Sequence, residues 1–306
     1  MTNYCLRILL LLCLVPAAHA ALTRFTYRIG ETTQDVRGAY TKALLKLALE
    51  KTQAQYGDFR LEPAQAMNTA RALRELKKGT YPNFMLKMSY HPGLEQAGML
   101  RGKLDVDLDI IGYRVCFTRT ALLPTLAGVQ NLAQLRQFSH GQGAGWVDTL
   151  ILQDNGFDVV SVGQYESLFH MVATGRFDLF CRGINELKGE WQSHGQLAGL
   201  AMEPNLMLYY PLPRFFYANP RDADGLKRVE DGVQRALADG SLQQLWLQYF
   251  GSSVAFAKPA QRRLFRLTNP LLPPDLLAPN QPRFDPIQMS FIFPHTQAKT
   301  RHPSQG

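Results

Sequence analysis

The chain has 306 residues, 46% of them hydrophobic and 19% charged, and carries a net charge of +8. That composition excludes a wholly disordered chain, and the length suffices for two lobes with separate cores. The basic residues are scattered, with no dense run beside aromatics, which argues against nucleic acid and leaves an acidic ligand or a membrane surface open.

Residues 1–20 hold Arg7, an apolar run from Ile8 to Val15, and Ala18-His19-Ala20. These are the three parts of a cleavable secretory signal, and the apolar run is too short to span a bilayer. Cleavage after Ala20 and a periplasmic address are therefore expected. Two cysteines then remain, Cys116 and Cys181, each in an apolar run. That setting favours buried thiols, whereas an exported compartment permits a bridge, and the sequence leaves the pairing open.

Along the mature chain, Phe25–Gly30 reads as a first strand and Tyr40–Lys51 as an amphipathic helix with Tyr40, Ala43, Leu44, Leu47 and Ala48 on one face. Phe59–Pro63 reads as a short strand. Asn68 is placed to cap a helix that Gly79 ends. Residues 82–102 give no regular signal. Val106–Phe117 is apolar and reads as one or two buried strands broken at Gly112. Residues 121–127, with Pro124, read as linker or crossover, and Asn131–Arg136 as a short helix.

Residues 140–186 form a compact α/β pattern. The Gly-rich stretch Gly141-Gln142-Gly143-Ala144-Gly145 reads as a turn that opens a helix, which stops at Asn155-Gly156. A β-branched strand 158–162, a helix stopped by Gly175, and a strand from Phe177 to Cys181 follow, the order of a parallel sheet. Met207–Pro211 and Arg214–Ala218 are strand-like. Asp222–Leu237 is a clear helix, and Ser241 is placed to cap another with Leu242, Leu245, Trp246 and Tyr249. From Pro270 onward the chain is Pro-rich, and 281–306 is expected to be poorly ordered.

The Gly141–Gly145 turn, with Gln142 and Gly143, offers backbone N–H groups to an anion, or is simply a turn chosen for its geometry. Trp146 stacks on a ligand or packs in the core. Arg182 and Glu186 follow a strand end. They are suited to a carboxylate and an amine, or, four residues apart, to each other. The sequence holds no G-x-S-x-G elbow, P-loop, HExxH or CxxC, and its histidines lack metal-ligand spacing. No enzyme activity, metal or cofactor is expected.

Four stretches in order resemble the bacterial extracellular solute-binding proteins of family 3, within the type 2 periplasmic binding proteins. They are Tyr27–Thr32, Gly112–Val115, Leu168–Asp178 (LFHMVATGRFD) and Ala236–Gly251 (ALADGSLQQLWLQYFG). The likeness runs from about Phe25 to Gly251. It implies an α/β fold of two lobes, each a mixed sheet flanked by helices, joined by two crossover strands and closing on a ligand. One lobe is expected from 21–118 with 209–270, the other from 119–208, and 271–306 as a tail. The resemblance implies a monomer that captures a small polar ligand, anionic or amino-acid-like, and delivers it to a membrane permease. A membrane sensor as partner, or an enzyme on the same scaffold, are the alternatives.

By the same resemblance, Glu31 and Thr32 and the segment around Gly143 reach ligand. The chain departs from the amino-acid-binding members at Met88–Glu95, where their carboxylate-clamping arginine is missing. Arg114 is the candidate replacement, or forms a structural ion pair.

Overall fold

The computed structural model of the protein describes residues 22–30, 38–276 and 281–293. Residues 1–20, read from the sequence as a signal, and Glu31, Thr32 and residues 294–306 lie outside them.

The fold opens on β1 (Thr23–Tyr27) and β2 (Phe59–Pro63), parallel in register from Thr23 opposite Phe59 to Tyr27 opposite Pro63. The helix between them, Ala39–Lys51, buries Tyr40, Leu44, Leu45, Ala48 and Leu49 on one face. Asn68 caps the next helix, Thr69–Lys78, its Oδ1 accepting the Arg71 N–H at 2.9 Å. Gly79 ends that helix at φ 61°, a left-handed conformation that glycine adopts without strain.

Residues 82–102 are not irregular. They hold β3 (Phe84–Ser89), the short helix Pro92–Gln96 and β4 (Leu100–Arg101). β3 is the centre of the first sheet, whose order is β2-β1-β3, then a strand from later in the chain, then β4. Its burial runs down both faces, so the alternation that marks a half-exposed strand is missing from its sequence.

Residues 106–117 are also corrected. Strand structure begins only at β5 (Tyr113–Arg119), after a single 3-10 turn at Ile110–Gly112. The Asp105 carboxylate accepts the N–H groups of Asp107 at 3.0 Å, Asp109 at 2.7 Å and Arg214 at 2.9 Å. Donors that a β-ladder would need are thereby taken. At Gly112 the chain passes so close to the returning segment that an added Cβ would lie 2.5 Å from the Tyr210 carbonyl oxygen.

β6 (His140–Gly143) corrects the expected Gly-rich helix-opening turn. Gly141 and Gly143 lie within a strand because aromatic rings cover them. An added Cβ would sit 2.1 Å from the Phe177 ring at Gly141 and 2.4 Å from the Trp146 ring at Gly143. The helix that follows begins at Asp148. β6 runs parallel to β7 (Val159–Val162) and bridges at His140 to Leu179, just before β8 (Phe180–Gly183). Arg182, expected just beyond a strand end, is inside β8.

β9 (Leu200–Met202) and β8 both pair antiparallel with β5, as does β10 (Leu206–Tyr209). The chain then returns to the first sheet as β11 (Arg214–Ala218), antiparallel to β3 and β4. The helix Ala223–Ala238 packs on Ala39–Lys51. Gly240, not Ser241, is the N-cap of the helix Ser241–Trp246; the Ser241 hydroxyl instead donates to Asp239 at 2.6 Å. A π-turn at Leu247–Gly251 leads to the helix Ser252–Ala257, which packs on Leu187–His194 of the second lobe.

β12 (Arg263–Arg266) adds to the outer side of β10, so the second sheet reads β12-β10-β5-β8 with β9 beside β5. Residues 113–118 and 263–266, grouped with the first lobe in the sequence reading, thus hydrogen-bond in the second sheet. The Pro-rich end is ordered in part: β13 (Arg283–Asp285) and β14 (Ser290–Ile292) form a hairpin. Phe284 and Phe291 of that hairpin lie 4.3 and 5.4 Å from the ring of fully buried Trp246. Few local signals announce it because its order comes from this packing.

Cys116 and Cys181 face each other across β5 and β8 and are joined in a disulfide, the pairing that the sequence left open, although their apolar settings favoured thiols. The antiparallel register places them opposite each other with Cα atoms 3.7 Å apart, a juxtaposition 65 residues of sequence separation conceal.

Candidate functional site

The two sheets present strand ends to one cleft. From the first sheet, β1 runs out at Arg28–Gly30 and β3 at Lys87, Met88 and Ser89, while β11 begins at Arg214. Facing it, β5 of the second sheet begins near Arg114, β8 carries Arg182, and the turns after β6 and β8 bring Gly145–Asp148 and Glu186. Together they line a cavity of about 940 Å³, counted out to open solvent. Ligands gather at such carboxyl ends of parallel strands because the connecting turns converge there.

Each acid at the cleft is paired with a cation. Asp148 Oδ1 accepts Arg114 Nη2 at 2.6 Å and the Tyr210 hydroxyl at 2.7 Å. Arg182 bonds Glu186 and, at 2.8 Å, Glu190, while Tyr165 donates to the same Glu190 oxygen at 2.6 Å. Lys87 bonds both oxygens of Asp107 at 2.5 and 2.8 Å. Burial draws the Lys87 ammonium below its ordinary pKa, against the pull of Asp107. Burial works the same way on Arg182, but Glu190 and Glu186 more than offset it and hold the guanidinium charged.

Arg214 is the loosest of these cations. Its Nη1 is 3.7 Å from Asp107, already taken by Lys87, and its Nε is 3.4 Å from the Ser89 hydroxyl. Its side chain is 29% exposed. Arg114 lines the cleft with its Nε buried and, among the described residues, without an acceptor. Trp146 forms one wall: the Arg182 guanidinium lies 4.8 Å from its ring, a cation–π contact that fixes both side chains.

Of the residues singled out by sequence, Arg114, Trp146, Arg182 and Glu186 meet in this cleft. The alternatives left open at Arg182 and Glu186 are both realised, since the two pair with each other while lining it. Gln142 and Gly143 do not line it: Gln142 is buried in β6 and Gly143 lies under the Trp146 ring. Sequence reasoning missed Arg28, Lys87, Asp148 and Arg214. The helix-opening acid two residues after Trp146 was the readable signal for Asp148; Lys87 and Arg214 sit in strands whose pairing alone brings them together.

At the start of β6, His140 is fully buried, and burial pushes its imidazole down to about 4, so it packs neutral beside Cys181, with Nδ1 3.6 Å from Sγ. Among the described residues no group of three or more His, Cys, Asp or Glu side chains is placed to hold a metal, and no helix is long and apolar enough to cross a membrane.

No protein-family model matches the chain, and no curated protein matches its sequence. Solved structures do match its shape: the chain has the bilobal fold seen in type 2 periplasmic binding proteins. An ancestral arginine-binding protein bound to arginine is 13% identical, with a TM-score of 0.55 over 76% of this chain and 100% of that one. A periplasmic His/Glu/Gln/Arg/opine family-binding protein from Silicibacter pomeroyi, in complex with lysine, is 10% identical, with a TM-score of 0.56 over 75% and 97%. A histidine kinase sensor domain similar to periplasmic binding proteins is 15% identical, with a TM-score of 0.53 over 76% and 97%.

Proposed function

We propose that this chain is an exported solute receptor that captures a small polar ligand between its lobes and delivers it to a membrane permease. The observation that carries this reading is the cleft itself, lined on the side of the first sheet by Arg28, Lys87 and Arg214 and on the facing side by Arg114, Trp146 and Arg182. A ligand touching both sets ties the lobes together, so binding and closure are one event. The binding residues in this reading are Arg114, Trp146, Arg182 and Glu186 from the second sheet with Arg214 and Lys87 from the first. The lobes are discontinuous, with chain crossings near Gly112 and at Tyr210–Pro213. The signal segment gives the chain a periplasmic address. The basic cleft favours an anionic group on the ligand.

The test is a thermal-shift screen of the purified chain against amino acids, organic acids, polyamines and sugars. A ligand at about 100 times its Kd adds roughly 2.7 kcal/mol, which raises Tm by several degrees. A hit should also change the fluorescence of Trp146 and fade in Trp146→Ala. A screen in which no solute of any class shifts Tm would sink the receptor reading. The likeness to a sensor domain supports a second partner class, a membrane sensor; capture of a sensor rather than a permease by the ligand-loaded chain separates the two.

A further inference from the structure

The receptor reading favours an anionic group but leaves open how many the ligand carries and whether it also carries an ammonium, and the cleft itself narrows both. We infer that the ligand is a small dicarboxylate without an ammonium group, one carboxylate held by Arg214 and the other by Arg114; this rests on the receptor reading above.

The first argument is charge balance. Among the described residues five cations line the cleft against two acids, Asp148 and Glu186. Asp107 and Glu190, the carboxylates behind them, still leave one positive charge in excess when all are counted as ionised. A cationic ligand would add to that excess, a zwitterion would leave it uncorrected and one carboxylate would cancel it; the second carboxylate is called for by the donors that remain, not by the charge count.

The second argument is occupancy. An ammonium group is best held by a carboxylate, and those at this cleft are already engaged. Asp148 is bonded by Arg114 and Tyr210, Glu186 by Arg182, and Asp107 by Lys87 through both oxygens. Recruiting one of them for a ligand amine would break a buried ion pair.

The third argument is which donors remain. Arg214, at the start of β11, has only a 3.7 Å approach to Asp107 and a 3.4 Å contact to Ser89. Arg114, at the start of β5, keeps a buried Nε with no acceptor among the described residues. A guanidinium holds a carboxylate through parallel N–H bonds. The two arginines belong to different sheets, so a ligand with one carboxylate for each is the one that couples the lobes. Arg214 neighbours Ser89 in register, so β11 sets a second cation beside Lys87 at the β3 end.

The experiment is calorimetric titration of the purified chain, stripped of bound solutes, with succinate, glutarate, acetate, glutamine, lysine and arginine. The expected result is that succinate or glutarate binds at least tenfold more tightly than acetate or any of the amino acids, and more weakly as salt rises. Arg214→Gln should weaken that binding more than tenfold, with Arg214→Lys recovering part of it and the unfolding midpoint of both variants unchanged. If lysine, arginine or glutamine binds and the dicarboxylates do not, the dicarboxylate assignment falls while the receptor reading stands. If acetate equals succinate, the two-arginine grip is wrong. If no solute here or in the wider screen binds, both readings fall together.

Discussion

The Arg114–Asp148 pair offers a sharp test of how the second lobe holds its side of the cleft. The two side chains are 4% and 8% exposed and 2.6 Å apart. At an effective dielectric constant of about 20 their attraction is roughly 6 kcal/mol before desolvation, which cancels much of it. Replacing Arg114 by Met leaves Asp148 buried with the Tyr210 hydroxyl as its remaining bonded partner. Uncompensated charges of this kind cost about 3–5 kcal/mol. For a chain of this size that lowers Tm by roughly 10 °C. The assay is urea unfolding followed by tryptophan fluorescence, with a double variant, Arg114→Met with Asp148→Leu, completing a cycle. The double variant should recover at least half of the loss, because removing both charges leaves an apolar pair. A single-variant cost under about 1 kcal/mol, the worth of an exposed pair, would refute the reasoning. So would a double variant no more stable than the single one.

Two further outcomes follow from features of the second lobe and of the crossing. Replacing Cys116 and Cys181 by Ala should cost about 4 kcal/mol on the chain-entropy account, given their separation of 65 residues, and dithiothreitol should lower the urea midpoint of the parent chain but not of the variant. Asp109 lies at φ 63°, and burial raises its carboxyl to about 7, against the bond from the Tyr209 hydroxyl. Between its ordinary value of 3.8 and about 7 the unfolded chain gives up a proton that the folded chain keeps, so stability falls as pH rises through that window. Asp109→Asn, whose side chain tolerates the left-handed backbone, removes this loss. Comparing unfolding free energies at pH 5 and pH 8 should show a drop smaller than the parent's by on the order of 3 kcal/mol. An equal drop in both proteins would contradict it.

Elements with a single buried face were legible in the sequence. Tyr40–Lys51, the Asn68-capped helix and the long helix from Asp222 each repeat apolar residues at helical spacing, with end signals the backbone obeys at Asn68 and Gly79. The illegible parts were those whose order comes from elsewhere in the chain. β3 is buried on both faces, so nothing in Phe84–Ser89 distinguishes it from an irregular buried run. β6 is built from His140, Gly141, Gln142 and Gly143, a poor strand composition made favourable by rings that need the missing side chains. At the candidate site, Arg114, Trp146, Arg182 and Glu186 stood near turns and strand ends where chemistry is expected. Lys87 lay in a stretch that gave no regular signal, and Arg214 opens a strand whose pairing with β3, more than a hundred residues away, is what brings it to Lys87 and Asp107.

The carboxy-terminal segment crosses between the lobes once more after β12. Thr268 exchanges backbone hydrogen bonds with the Asn155 side chain of the second lobe at 2.8 and 3.1 Å. Asn269 donates to the Pro211 carbonyl at 2.8 Å, and Leu272 and Leu276 then pack into the first-lobe core. In the receptor reading proposed above, two crossings define an axis about which the lobes swing; a further one, anchored at both ends, then acts as a check-strap on that swing. A shorter swing leaves fewer wide-open conformations to be given up on capture. A larger share of the unliganded population is then already competent to bind, and less of the intrinsic affinity is lost to closing the door.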